Sequence, residues 1–166
     1  MSDVSTMSEV SRAETLRVLG GVPLFSELTK RQLTAVAKVV AHMTFKPGAV
    51  LLRELRPGQR LIIIRSGTAA VTRHGVVARD DAAGGIQEGR TRRLGTVGPG
   101  DVVGELSLID GKPTSASVVA ETPLDALVIY RTEFDKLLAS TPQLYPRLLV
   151  GLADRIRAMD QRADIA

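Results

Sequence analysis

One stretch of the chain has residue types whose spacing could do chemistry: Val103-Gly104-Glu105-Leu106-Ser107-Leu108-Ile109-Asp110-Gly111-Lys112-Pro113-Thr114-Ser115-Ala116-Ser117-Val118-Val119-Ala120. It reads as a strand end, a glycine, a short helical turn, then a tight proline turn into another strand. That order aims the amides of Leu106 and Ser107 at a common point, and those of Ser115 and Ala116 can converge on it. Converging amides make an anion site. Glu105 inside such a site needs a neutral partner, such as a sugar hydroxyl, that donates a hydrogen bond. It has a second reading, as an acid complementing the first turn of a helix. Gly104 reads either as a ligand approach or as a turn glycine. Ser115 is divided between turn bonding and ligand contact, and Ser107 suits packing.

Other chemistries are excluded by composition. The 166 residues contain no Cys, which excludes thiolate metal sites and catalytic thiols, and only two His, His42 and His74, which argues against a His-rich metal site or a His-based triad. Gly98, Gly100 and Gly104 miss dinucleotide-binding spacing by one residue. No nucleophile elbow and no Lys-bearing phosphate loop appear. No catalytic residue and no metal ligand is assigned, and the chain is read as a non-enzyme. No apolar run is long enough to span a membrane, and Met1 to Arg12 lacks a signal-peptide plan, so a cytoplasmic location is expected. The formal charge of +4 is uneven: residues 53–93 hold nine Arg against Glu54, Asp80, Asp81 and Glu88. With few aromatics and no basic helix, that stripe reads as solvated surface.

Several elements must position the stretch. Residues 1–8 are polar and expected to fray. A helix fits 9–20, stopped by Gly20-Gly21, and a second begins at Thr29, whose capping box is completed by Gln32. His42 is placed at the end of the helical segment, where a cation suits terminal carbonyls. From Met43 to Tyr130 about eight short apolar stretches alternate with turns such as Lys46-Pro47-Gly48, Arg56-Pro57-Gly58 and Gly98-Pro99-Gly100, the pattern of a small antiparallel roll. Residues 75–92 read as a long hairpin loop. Thr132 is expected to cap a short helix, and Thr141 with Pro142 a longer one carrying Leu144, Leu148, Leu152, Ile156 and Met159 as one apolar stripe. The fold class is mainly β: an antiparallel β-roll or jelly roll with N-terminal helices (9–42), a roll (43–130) and C-terminal helices (132–163), all one domain over 9–163.

The stretch from Gly104 resembles the phosphate-binding cassette of the cyclic-nucleotide-binding domain family, Gly-Glu-Leu-x-Leu, about five residues, then Pro-Arg-x-Ala. Val22-Pro23-Leu24-Phe25-Ser26-Glu27-Leu28 is similar to that family's entry segment, Phe45-Lys46-Pro47-Gly48-Ala49-Val50-Leu51 to its first roll turn, and Ile62-Ile63-Ile64-Arg65-Ser66-Gly67 to its Gly-bearing strand. Gly98-Pro99-Gly100-Asp101-Val102-Val103-Gly104-Glu105 resembles the approach to the cassette. The likeness runs over roughly residues 20–160. It implies a ligand, cAMP or cGMP, and no cofactor. Gly104 would let the backbone approach it, Glu105 would accept from the ribose 2′-hydroxyl, and Leu106, Ser115 and Ala116 would offer amides to the phosphate. The C-terminal helix would be the lid and, as in activator-like members, a homodimer contact.

Two positions depart from the family pattern. The cassette Arg that pairs with the phosphate falls at Thr114, which offers one neutral hydrogen bond and no charge. Lys112, Arg65 and Arg73 are the replacement cations to consider. Leu55-Arg56 stands where the family turn before Pro57-Gly58 usually has Gly. The reading is therefore a regulatory module that binds cAMP or cGMP weakly or has lost them. The alternatives are a ligand-independent scaffold for an unknown protein partner, or the sensor fragment of a longer transcription regulator. Direct DNA binding is not expected, because residues up to Ala166 leave nothing to build a helix-turn-helix.

Overall fold

Turn chemistry and strand alternation produce the roll that the sequence predicts. The computed structural model describes residues 4–5, 11–75 and 89–163. Its elements are β1 (Val4–Ser5), α1 (Arg12–Gly20), a 3-10 turn (Pro23–Phe25), α2 (Lys30–Lys38), β2 (Ala41–Phe45), β3 (Val50–Leu52), β4 (Arg60–Ser66), β5 (Ala69–His74), β6 (Thr91–Val97) and β7 (Val102–Val103). There follow α3 (Glu105–Asp110), β8 (Ser117–Ala120), β9 (Leu124–Tyr130), α4 (Arg131–Ser140) and α5 (Leu144–Ala163). One sheet has the order β1-β2-β9-β4-β7 and the other β3-β8-β5-β6, with every pairing antiparallel. Val4–Ser5, expected to fray, pair with Phe45 and Thr44 at the sheet edge. Most of the expected hairpin loop, residues 76–88, lies outside the described residues.

β4 and β9 read as unbroken apolar runs because both of their faces are buried. Leu61, Ile63, Leu127 and Ile129 face the helices, while Ile62, Ile64, Ala126 and Val128 face the roll interior. The capping box at Thr29 and Gln32 forms as predicted, with both bonds present.

Three local expectations are corrected. His42 does not end a helix. α2 stops at Lys38, and His42 lies in β2 opposite Leu127, because Met43, Thr44 and Phe45 suit a pleated, half-buried strand. Thr132 does not cap α4. That helix starts at Arg131 directly from β9, with the Arg131 amide donating to the Gln59 carbonyl at 2.7 Å. Thr141 closes α4, and α5 begins only at Leu144.

The environment of His42 is partly buried and charged. Its Nε2 lies 3.3 Å from Thr15 Oγ1, and Nδ1 has no partner. Burial holds its pKa below the ordinary 6.5, and Arg65 pushes the same way. A depressed imidazole contributes stability that is present above pH 6.5 and lost as pH falls through its lower folded value. Urea titrations should show that loss on acidification, and His42→Gln should flatten it.

The departure at Leu55 carries strain. Leu55 has φ +60°, the left-handed region, and is 78% exposed, so no packing compensates. Leu55→Gly is expected to raise stability by about 0.5–1 kcal/mol, because relief of the left-handed cost exceeds glycine's added chain entropy. Thermal unfolding checks it.

Candidate functional site

The cassette begins where β7 turns sharply into α3. Gly104 takes φ +86°, and a Cβ there would sit 2.4 Å from the Arg60 carbonyl oxygen. Only glycine fits both constraints. Glu105 follows and is 5% exposed. Its Oε1 accepts from Arg155 Nη1 of α5, while Arg155 Nη2 donates to the Val102 carbonyl at 3.3 Å. Burial pushes the Glu105 carboxyl above its ordinary 4.5; Arg155 and the residue's own backbone amide pull it back only in part. Ser107 is buried and packs against Gly58, and its carbonyl accepts from Arg131. Leu106 is 53% exposed.

The second half of the cassette is tied to the turn before β4. Thr114 is 7% exposed. Its amide and its Oγ1 both donate to the Arg56 carbonyl, at 2.9 and 3.1 Å, and its own carbonyl accepts from Leu55 at 2.8 Å. The hydroxyl is therefore spent on closing this turn. Ala116 is buried beside it, and Ser115 is exposed with its carbonyl accepting from Arg73 Nε at 2.9 Å.

The three candidate cations separate. Arg65 is removed from consideration. It sits on the helical side of the sheet, bonded to Glu14 of α1 and to Asp125 Oδ2 at 2.8 Å, so its charge is already matched. Lys112 is exposed in the turn after α3. Of the three, Arg73 is the one whose side chain bonds a cassette residue, through the Ser115 carbonyl.

The role of Arg155 escaped the sequence reading. It lies 50 positions from Glu105, and neither residue carries a local pattern that couples them. The apolar stripe of α5 divides along its length. Leu144 and Leu148 are core, while Tyr145, Leu149, Ile156 and Met159 are 52–60% exposed. Gly151 seats the helix on the 3-10 turn; a Cβ there would meet the Leu24 carbonyl at 2.6 Å. A groove of about 360 Å³ lies on the far side of α3, among Ile109, Phe134, Leu138, Tyr145 and Leu149. Among the described residues no group could hold a metal ion, and no helix is long and apolar enough to cross a membrane.

The β7–α3–β8 segment of the roll sets the half-buried Gly104 beside the buried Glu105, and comparison with known proteins gives the family this arrangement belongs to. The profile described as "Cyclic nucleotide-binding domain" matches residues 42–141, more than half of the chain, and the chain belongs to that family. It is 29% identical over 140 residues to a CRP-like cAMP-activated global transcriptional regulator of Mycobacterium tuberculosis, covering 84% of this chain and 58% of that one. A cyclic nucleotide-binding domain from Methylobacillus flagellatus superposes with TM-score 0.70 at 27% identity, over 91% of this chain and 79% of that one. A variant regulatory subunit of a cAMP-independent protein kinase A from Trypanosoma brucei superposes with TM-score 0.63 at 26% identity, over 82% and 46%. That variant has a threonine-to-arginine change among its three substitutions and is bound to cAMP. The chain spans between 34% and 62% of the length of the curated relatives it matches.

Proposed function

We propose that the chain is a cytoplasmic regulatory module, not an enzyme, that takes a cyclic nucleotide, cAMP or cGMP, at Gly104, Glu105, Leu106, Ser115 and Ala116, with its affinity lowered because Thr114 stands where the cassette cation would pair with the phosphate. The observation that carries this reading is Thr114, buried at the cassette position and with both donors committed to Arg56. Losing one partner of a buried charge pair costs about 2–5 kcal/mol, which places binding on the order of tens of micromolar or weaker. The Trypanosoma brucei variant supports the reading, since a cAMP-bound form of a cAMP-independent regulator carries a threonine-to-arginine change. Calorimetric titration with cAMP and with cGMP is the test. Weak saturable heat is expected. No heat from either at millimolar concentration overturns the reading and leaves a ligand-independent scaffold.

A homodimer through α5 is the second part of the proposal. Tyr145, Leu149, Leu152, Ile156 and Met159 repeat at spacings of 4, 3, 4 and 3, the period of a two-helix seam, and four of the five are exposed. Sedimentation equilibrium should give a dimer that Ile156→Glu dissociates. A monomer at high concentration removes this part.

A further inference from the structure

We infer that Arg73 and Arg92 together form an anion clamp on the rim of the roll, which meets the ligand's phosphate from the strand side in place of the cassette cation. This rests on the proposed nucleotide site and assigns the charge that recognises the phosphate there.

The two residues are direct cross-strand partners in the β5–β6 pairing, so their side chains leave the same face of the sheet. Val71, two residues before Arg73, packs into the roll interior, and strand alternation puts Arg73 on that same inward side. Arg73 Nε donates to the Ser115 carbonyl at 2.9 Å, which fixes its guanidinium beside the residues that follow Thr114. Its two terminal nitrogens remain for a ligand.

Like charges placed directly opposite each other on neighbouring strands are unfavourable. Neighbouring charges on this end of the sheet are matched. Arg93 pairs with Glu121, and Glu54 accepts from the His74 amide at 2.8 Å with its Oε2 3.5 Å from His74 Nδ1. Among the described residues neither Arg73 nor Arg92 has a carboxylate partner. A phosphate held between them would remove the repulsion and reach the Ser115–Ala116 backbone. Both side chains are exposed, so the clamp is weaker than a buried Arg and sensitive to salt.

The test is calorimetric titration of cAMP into the wild type, Arg73→Gln, Arg92→Gln and Thr114→Arg at low and high salt, with adenosine as an uncharged probe. Each Gln variant should weaken cAMP roughly threefold at low salt, with adenosine binding unchanged. The difference should fade at high salt. Arg92→Glu should raise the melting temperature of the ligand-free protein while weakening cAMP. If the wild type binds cAMP and both Gln variants bind it equally well, the clamp is overturned and the nucleotide site stands. If only Thr114→Arg binds, the clamp is likewise overturned and the pocket stands. If none of the four proteins binds, the nucleotide reading itself fails and the clamp with it.

Discussion

Thr114→Arg is expected to strengthen cAMP or cGMP binding at least tenfold. Arg brings a bidentate, charge-assisted contact to a phosphate that the wild-type cassette meets without charge. Tenfold is about 1.4 kcal/mol, below the roughly 2–5 kcal/mol that a lost buried partner costs. The net gain is smaller than that cost because the substitution also breaks the Thr114 Oγ1 bond to the Arg56 carbonyl and so loosens the turn. Glu105→Ala in the repaired protein should then weaken binding again, since it removes the acceptor for the ribose. Titration calorimetry on the single and double variants measures both steps. No gain from Thr114→Arg would mean that side chains fill the pocket.

Arg155→Ala is expected to destabilise the ligand-free protein by about 2 kcal/mol. Removing one partner of a fully buried pair typically costs roughly 3–5 kcal/mol, and Arg155, a third exposed, warrants a discount for solvent screening. The cost comes from Glu105, which would be left as a buried anion. Its carboxyl already titrates above 4.5. A raised carboxyl contributes stability that is present below the ordinary value and lost as pH rises through the folded value. The Arg155→Ala penalty should therefore shrink as the solution is acidified and Glu105 takes up a proton. Adding Glu105→Gln should remove most of the penalty at neutral pH. Urea unfolding of the two singles and the double across pH reads all three effects. A penalty independent of pH would mean that Arg155 acts through packing.

The parts of the fold that could be read from the sequence are those whose cause is local. Thr29 and Gln32 specify a helix start within four residues, and Lys46-Pro47-Gly48 specifies a turn within three. Gly104 was legible as a special position, although the reason for it, the carbonyl of Arg60 beside its Cα, comes from a strand 44 positions earlier. His42 is not placed by the sequence, because a short apolar run does not distinguish a helix end from a strand. Thr132 looks like a cap, but the first amide of α4, that of Arg131, donates to the Gln59 carbonyl, so the helix needs no side-chain cap. The site stretch is visible in the sequence as a run of residue types, but the fate of each side chain depends on distant partners. Thr114 turns to Arg56, Arg65 to Glu14 and Asp125, and Glu105 to Arg155. None of these pairings leaves a periodic trace. The α5 stripe divides for a geometric reason: Leu144 and Leu148 lie over the core, while Ile156 and Met159 lie on the last turns, where the roll no longer supports them.

The contact between Gly151 and the carbonyls of Pro23 and Leu24 ties the first and last thirds of the chain into one mechanical part. A side chain at position 151 would act as a shim, prying α5 off the 3-10 turn and lifting Arg155 from Glu105 without touching either. While residue 151 stays glycine, α5 and the 3-10 turn are seated on each other as a single lever, with the missing methyl group as its hinge pin. Spin labels on Ser26 and Val150 should keep a constant separation whatever fills the roll, while a pair on Val150 and Lys112 reports the stroke.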